Sequence, residues 1–409
     1  MCSPAGTWRI PLLLVFLLGS CSLSYGHPPW VNNLIRNGGY GVAHGVNISG
    51  FRENDPFIPA STLKILTSLA ALETLGDNYR FKTDFFLDNH KVLFIRGWGD
   101  PFLISEEIER ICRKLVDLGL RDITSIVLDD SAFNLATPTD GSEGSNNPYD
   151  APNSALAVNF NSLPVFISAN GSVVSGEQQT PNLPIMQNIR GNLSAGIHRI
   201  NVDTLAGMTR NPPSLQYTGE LFAAMLKKSG VQVGNKIYAG KFPAIDNEKI
   251  LYIHVSSKAL VDIVRSCLKF SNNFIANQLF LTCGAAAYGY PANWQKSHRF
   301  FQNYARNTLG LTPDAFNIIE GSGLSRKNRI TPDAMLKILR RFYPYRTLLN
   351  EKEHVYIKSG TLTDVFCYAG YVKNGQKNNP FVLMLNQKAN TRKQVLQYLK
   401  HSFRPRKNN

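Results

Sequence analysis

Along residues 59–75 the apolar positions Leu63, Leu66, Leu69, Ala70 and Leu72 recur at helical spacing, with Pro59 just ahead and Gly76 as a stop. The pattern predicts a helix that opens at Ser61. Upstream, residues 41–49 alternate loosely enough for a short strand. Downstream the period shortens: 81–87 and 91–96 read as strands joined by a hairpin at Asp88-Asn89-His90. Residues 105–118 follow as an amphipathic helix capped by Ser105, with Glu106 and Glu107 in its first turn, and 123–128 as an apolar strand.

Residues 134–148 are rich in Thr, Gly, Ser, Asn and Pro and read as a loop. Strand-like stretches cover 154–168 and 171–175, whereas 178–207 is too punctuated by Pro, Asn and Gly to assign. A helix is expected over 217–229 and strands over 231–239 and 250–255. From there the pattern turns helical, at 258–269, 272–287, 293–308 and 332–342, with a loop at 320–329. The chain closes with strands at 355–358, 366–372 and 380–386 and a helix over 391–403. The order implies an α/β (α+β) protein. Its two ends, 27–80 and 256–409, form one domain of helical cluster plus sheet, interrupted by an inserted α/β and β-rich part over 81–255.

With 409 residues, 43% apolar and 18% charged, the chain can hold two or three globular domains. Residues 1–26 read as an export signal, with Arg9 as the n-region and an apolar core over 10–18 too short to span a bilayer. Leu18-Gly19-Ser20-Cys21 resembles a lipobox that would leave a lipidated Cys21; ordinary cleavage near Gly26 is the other reading. Cys112, Cys267, Cys283 and Cys367 have no zinc-ligand spacing; Cys267 and Cys283 could pair, or all four could remain buried thiols. The formal charge of +15 suits anionic lipid or a cell-wall polymer, and the basic residues cluster only in the tail 404–409. Export and the lack of an aromatic RNA-binding signature argue against nucleic acid.

Ser61 and Lys64 lie one turn apart, placing a hydroxyl beside an amine at the positive end of a helix. This Ser-x-x-Lys spacing is weak alone, because Ser266 and Lys269 repeat it, although Ser266 is expected to be buried mid-helix. Two further stretches change the weight. Ser271-Asn272-Asn273 falls at a helix junction, and Lys358-Ser359-Gly360-Thr361 ends a strand with a glycine that permits close backbone approach. Separately they read as a helix cap and a hairpin end. The order Ser-x-x-Lys, Ser-x-Asn, Lys-Ser/Thr-Gly is that of penicillin-recognising serine enzymes.

With these motifs the chain resembles the D-Ala-D-Ala carboxypeptidase family of the penicillin-binding protein 4 type, peptidase family S13. Supporting stretches include Gly99-Asp100-Pro101, Val127-Leu-Asp-Asp-Ser131, Asn211-Pro-Pro213, Gly321-Ser-Gly-Leu-Ser-Arg326 and Ala369-Gly-Tyr-Val372. The resemblance implies a transpeptidase-like catalytic domain, peptidoglycan stem peptides and β-lactams as partners, no cofactor, and a periplasmic or envelope location with possible attachment through Cys21 or the basic surface. It implies that Lys64, neutral through partial burial and its neighbour Lys358, takes the proton of Ser61. Backbone N–H groups of Ser61 and Thr361 would form the oxyanion hole. Ser271 relays the proton to the leaving nitrogen and Asn273 positions the substrate and Lys64. Lys358, Ser359, Gly360 and Thr361 would receive the terminal carboxylate.

The resemblance also suggests that Asp129 and Asp130 lie at the cleft edge, where they would accept a stem-peptide amine, and that Arg326 contacts substrate. A solvated strand end and a surface arginine are the plain alternatives. Ser359 stands for the family's usual threonine and Glu320 for its usual aspartate, and the span from Ser61 to Ser271 suggests a trimmed innermost domain. Cleavage of single stems (carboxypeptidase) or of cross-links (endopeptidase) is left open. A serine β-lactamase and a non-catalytic wall-binding lipoprotein of the same fold are the competing readings. The first lacks its Glu-x-x-Leu-Asn pattern, and the intact Ser61, Lys64, Ser271, Asn273 and Lys358 argue against the second.

Overall fold

A computed structural model describes residues 29–403 apart from 46, 190–192 and 244–249. The expected export signal, Cys21 and the basic tail lie outside the described residues. In chain order come α1 (Trp30–Leu34), β1 (Gly38–His44), β2 (Asn47–Phe51), α2 (Lys64–Leu75), β3 (Lys82–Leu87), β4 (Val92–Gly97), α3 (Ser105–Asp117) and β5 (Asp122–Asp129). Next are β6 (Ser162–Ile167), β7 (Val173–Ser175), β8 (Gly196–Asn201), α4 (Pro213–Lys228), β9 (Gln232–Ala239) and β10 (Tyr252–Val255). The remainder is α5 (Leu260–Phe270), α6 (Asn273–Tyr288), α7 (Trp294–Asn307), β11 (Phe316–Asn317), β12 (Arg329–Ile330), α8 (Pro332–Phe342), β13 (Asn350–Lys352), β14 (Val355–Leu362), β15 (Val365–Asn374), β16 (Lys377–Leu385) and α9 (Arg392–Ser402).

The two ends of the chain meet in one sheet, ordered β13-β14-β15-β16-β1-β2, in which N-terminal β1 pairs antiparallel with C-terminal β16. Against it pack α2, α5, α6, α7 and α8, whose apolar stripes share one core that includes Leu66, Leu69, Leu279, Phe280, Leu336 and Met384. Burial of such stripes, more than helix propensity, holds short helices in place. α2 is enclosed on every side, from Lys64 to Leu72.

A second core lies in the intervening chain. The sheet β10-β3-β4-β5-β9 joins parallel pairs (β4 with β5, β5 with β9) to antiparallel neighbours. Ile108, Ile111, Leu115, Tyr217, Leu221 and Phe222 of α3 and α4 pack against it, together with Leu163 and Val165 of the three-stranded sheet β7-β6-β8.

Several local expectations shift. Within 154–168 only Ser162–Ile167 is strand, because Asn159, Phe160 and Asn161 take left-handed φ values of 48°, 61° and 51° and turn the chain. Ser105 is buried inside α3 and does not cap it; Asn159 Oδ1 accepts from the Ser105 N–H instead, and Ser105 Oγ meets Thr180 at 2.8 Å and accepts from Asn159 Nδ2. α4 starts at Pro213, a turn earlier than expected, since proline's fixed φ suits the first helical position. Ser266 is half-buried and its hydroxyl donates to the carbonyl of Asp262, so it stays within its own helix. The four described cysteines are buried free thiols.

Candidate active site

Ser61 sits in a 3₁₀ turn, Ala60–Leu63, that feeds straight into α2. Ala60 ahead of it holds a left-handed φ of 45°, an uncommon state for a residue with a Cβ. Two neighbours hold the turn from outside. A Cβ on Gly360 would lie 2.7 Å from the Pro59 carbonyl oxygen, and one on Gly323 would lie 2.0 Å from that of Ala60. Both glycines are therefore required by close backbone approach. The first brings β14 against the serine, as the Lys-Ser-Gly motif predicts.

Lys64 is 0% exposed, and its Nζ has three partners: Ser61 Oγ at 2.9 Å, Asn273 Oδ1 at 2.7 Å and the Ser322 carbonyl at 2.7 Å. The last two only accept. A neutral amine has two hydrogens and one lone pair, so those acceptors use both hydrogens and leave the lone pair facing the Ser61 hydroxyl. Burial lowers the Lys64 pKa to about 8, against the opposing pull of Cys267 and Glu320. Burial is thus complete, where the sequence suggested it was partial.

Ser271 ends α5 in the left-handed region, φ 55°, and Asn272 then caps α6 by accepting from the Ile275 N–H. That junction explains the Ser-x-Asn spacing. The turn frees the Ser271 hydroxyl, which accepts from Lys358 Nζ at 2.8 Å, and the first helical residue, Asn273, faces Lys64. Asn273 also donates to the Tyr149 carbonyl from the intervening chain. Lys358 is 2% exposed, and its pKa falls to about 7, through burial first and the charge of Lys64 second.

Ser61, Ser271, Asn273 and Thr361 line one cavity of about 640 Å³. β13 covers only Val355–Ile357 of β14, so among the described residues the edge from Lys358 to Leu362 has no strand partner on that side. An unpaired strand edge beside a nucleophile can take an extended peptide as an added strand. Arg326 lines the same cavity and donates to the Thr363 carbonyl. Ser359 does not line it and opens, with Lys358, onto a neighbouring cavity on the α9 side.

Asp129 and Asp130 are corrected. Asp129 is 4% exposed and its carboxylate accepts from the Ser131 and Phe242 N–H groups, while Asp130 accepts from Ser154 Oγ. Neither lines the cavity; the carboxylates that do are Asp140 and Glu143. Asp129 is taken up by two backbone donors and Asp130 is turned toward Ser154, so neither carboxylate faces the cavity.

Glu320, read from the sequence only as a stand-in for the family's usual aspartate, has a structural role. Fully buried, it accepts from the N–H groups of Ser322, Gly323 and Ser325, from Ser322 Oγ and from Asn328. It thereby shapes the loop that puts the Ser322 carbonyl on Lys64. The signal available was a carboxylate directly before Gly-Ser-Gly, a stretch dense in backbone donors.

In known structures this architecture recurs in penicillin binding protein 4 (dacB) from Haemophilus influenzae. The match has a TM-score of 0.72 at 20% identity, covering 90% of this chain and 98% of that one. The fold is therefore that of a penicillin-binding protein. In sequence, the chain is 24% identical over 388 residues to the penicillin-sensitive carboxypeptidase A of Dictyostelium discoideum, spanning 78% of this chain and 71% of the relative. It is 23% identical over 401 residues to the D-alanyl-D-alanine carboxypeptidase DacB of Haemophilus influenzae, spanning 83% and 82%. The profile of the D-Ala-D-Ala carboxypeptidase 3 (S13) family matches residues 41–354, and the chain belongs to that family. By family it is a serine-type D-Ala-D-Ala carboxypeptidase.

Proposed function

We propose that Ser61 is the nucleophile of this carboxypeptidase and that Lys64 is its base. The observation that carries this is the partner set of Lys64, in which two obligate acceptors leave the lone pair for Ser61. Ser61 Oγ attacks the carbonyl of the penultimate D-alanine while its proton passes to Lys64 Nζ. The backbone N–H groups of Ser61 and Thr361 hold the oxyanion, each worth about 3 kcal/mol in comparable sites. The proton then moves through Ser271 Oγ to the leaving nitrogen, and the C–N bond breaks. Lys358 supports Ser271 and, with Thr361, attracts the terminal carboxylate. Water releases the acyl group by the reverse proton route.

The cavity-lining Arg326 contacts substrate from the Gly-Leu-Ser-Arg loop. Ser359 contributes through its strand, with its hydroxyl turned to the adjoining cavity. The catalytic unit comprises 27–80 and 256–409, and 81–255 is an insertion whose reduced inner part supplies one wall of the cleft. Residues 1–26 direct export, followed either by lipidation of Cys21 or by cleavage near Gly26, and the basic surface favours the anionic envelope.

The test is mass spectrometry of purified muropeptides after incubation with the mature protein. Pentapeptide stems are expected to lose one D-alanine with the wild type and to persist with Ser61→Ala or Lys64→Met. Equal release by Ser61→Ala refutes the assignment.

A further inference from the structure

Beyond Ser271 lies a second cavity, of about 420 Å³, between the C-terminal end of α5, the β13–β14 edge and α9. Ser271 lines both cavities, and Lys358 and Ser359 line this one. Its charge is one-sided: Lys269, Lys352, Arg392, Lys393 and Lys400 border it, against the single acid Glu353, which reaches Lys400 at 3.7 Å. Among the described residues nothing pairs with Lys352 or Lys393. Arg392 ties the groove to the catalytic strand. One of its guanidinium nitrogens, Nη1, donates to the Gly360 carbonyl at 3.1 Å and to Thr361 Oγ1 at 2.8 Å. Its Nε is buried without a partner, and its guanidinium lies 4.8 Å from the Tyr368 ring.

Under the mechanism above, the acyl half of the substrate stays on Ser61 and the leaving nitrogen departs beside Ser271. Whatever is attached to that nitrogen must run on past Ser271 and Lys358. A single D-alanine ends there with one carboxylate. A larger amine, such as the side-chain amine of a second stem peptide, carries further carboxylates that reach the basic groove.

We propose that this groove is a binding site for the carboxylates of the leaving half of the substrate, so that the enzyme selects amines more anionic than D-alanine. The inference rests on the acyl-enzyme reading above. It makes Lys352, Arg392, Lys393 and Lys400 specificity residues with no part in bond breaking.

Microscopic reversibility supplies the test, because a site for the leaving amine is also a site for an attacking amine. The acyl-enzyme is formed from a D-alanyl thioester, and its fate is divided between water and an added amine. In the amine branch the nitrogen attacks the ester carbonyl, the C–N bond forms, the bond to Ser61 Oγ breaks, and the amine's proton returns to Ser61 Oγ through Ser271. The two acceptors are D-alanine and a stem tripeptide bearing diaminopimelate, with products separated by chromatography.

The wild type is expected to favour the tripeptide about ten-fold, the scale of two or three solvent-exposed ion pairs, and to lose the preference as salt rises. The Lys352→Gln/Lys393→Gln/Lys400→Gln variant is expected to treat the two acceptors alike while hydrolysing the thioester at the wild-type rate. An unchanged preference in that variant, or none in the wild type, overturns the proposal. Failure of penicillin to label the wild type would instead strike at Ser61 as nucleophile. Stoichiometric penicillin labelling of the triple variant establishes that it is folded.

Discussion

Two lysines within one buried polar cluster cannot both keep their protons at neutral pH without cost. Burial pushes Lys64 down to about 8, and burial together with the charge of Lys64 pushes Lys358 to about 7. Under the proposed mechanism the reactive form needs Lys64 neutral, and Lys64 loses its proton as pH rises through about 8. Acylation by penicillin should therefore rise with pH through about 8, as Lys64 becomes neutral, and this rise is the acid limb of the profile. Glu320 raises the proton affinity of Lys64. Glu320→Gln removes that charge, so the acid limb should move to lower pH. The same change sets an amide donor among donors and should lower stability by roughly 1–3 kcal/mol. An acid limb that stays in place under stopped-flow labelling at a series of pH values would separate Glu320 from Lys64. The motifs marked Ser61, Lys64, Ser271, Asn273 and Lys358, whose side chains the structure brings together, because each sits on a particular element and spacing records that. Glu320, whose role depends on how a loop folds back on itself, left no periodic trace. Asp129 and Asp130 misled because exposure cannot be read from a strand end.

At the scale of elements, the proposed mechanism requires β14 to lie close against the Ser61 turn. Gly360→Ala would place a Cβ 2.7 Å from the Pro59 carbonyl and 3.0 Å from the Ser61 nitrogen, both backbone atoms that cannot yield alone. The strand must then retreat, taking the Thr361 N–H out of line with the oxyanion. Acylation is expected to fall by about 10²-fold, the size of one lost oxyanion donor, with circular dichroism unchanged. Wild-type acylation in this variant would mean that the strand is not held against the turn. Helices were the more legible elements because a 3.6-residue apolar stripe is long and redundant; α5 to α8 fall within two residues of expectation. The stretch 154–168 was not legible, since three consecutive non-glycine residues in the left-handed region defy propensity and are held by tertiary contacts, among them Asn159 to Tyr217 and Asn161 to the Pro152 carbonyl.

Across the whole molecule, the chain passes between its two cores at two adjacent places, where Ser256 N–H donates to the Phe81 carbonyl and Arg80 to that of Ser256. Beside them Asp100 is buried; Oδ1 accepts from the Phe102 N–H, and among the described residues no donor stands at hydrogen-bond distance from Oδ2. Burial raises its pKa to about 6, countered in part by Phe102, His254 and Ser256. A carboxyl whose folded pKa exceeds its unfolded value stabilises the fold at low pH, and that contribution is lost as pH rises through the folded value. Asp100→Asn keeps the Phe102 turn and removes the buried charge. The variant should match the wild type near pH 4 and be more stable by roughly 2–3 kcal/mol at pH 8 in urea unfolding. Equal stability at both pH values would show that Asp100 keeps its charge without penalty. The meeting of the two chain ends was readable from the order of motifs, because a serine near residue 60 and a lysine near 360 can share a site only if the termini come together. The pairing of β1 with β16 that achieves it was not, since strand partners far apart in sequence leave no local signature.

The central claim is that one hydroxyl, brought together with two lysines and a second serine from three distant segments, becomes the acyl acceptor. Peptide mass mapping after incubation with benzylpenicillin measures this directly. The account predicts one penicilloyl adduct, on the peptide containing Ser61, and no adduct in Ser61→Ala. An adduct on any other residue, or undiminished labelling of Ser61→Ala, would contradict it.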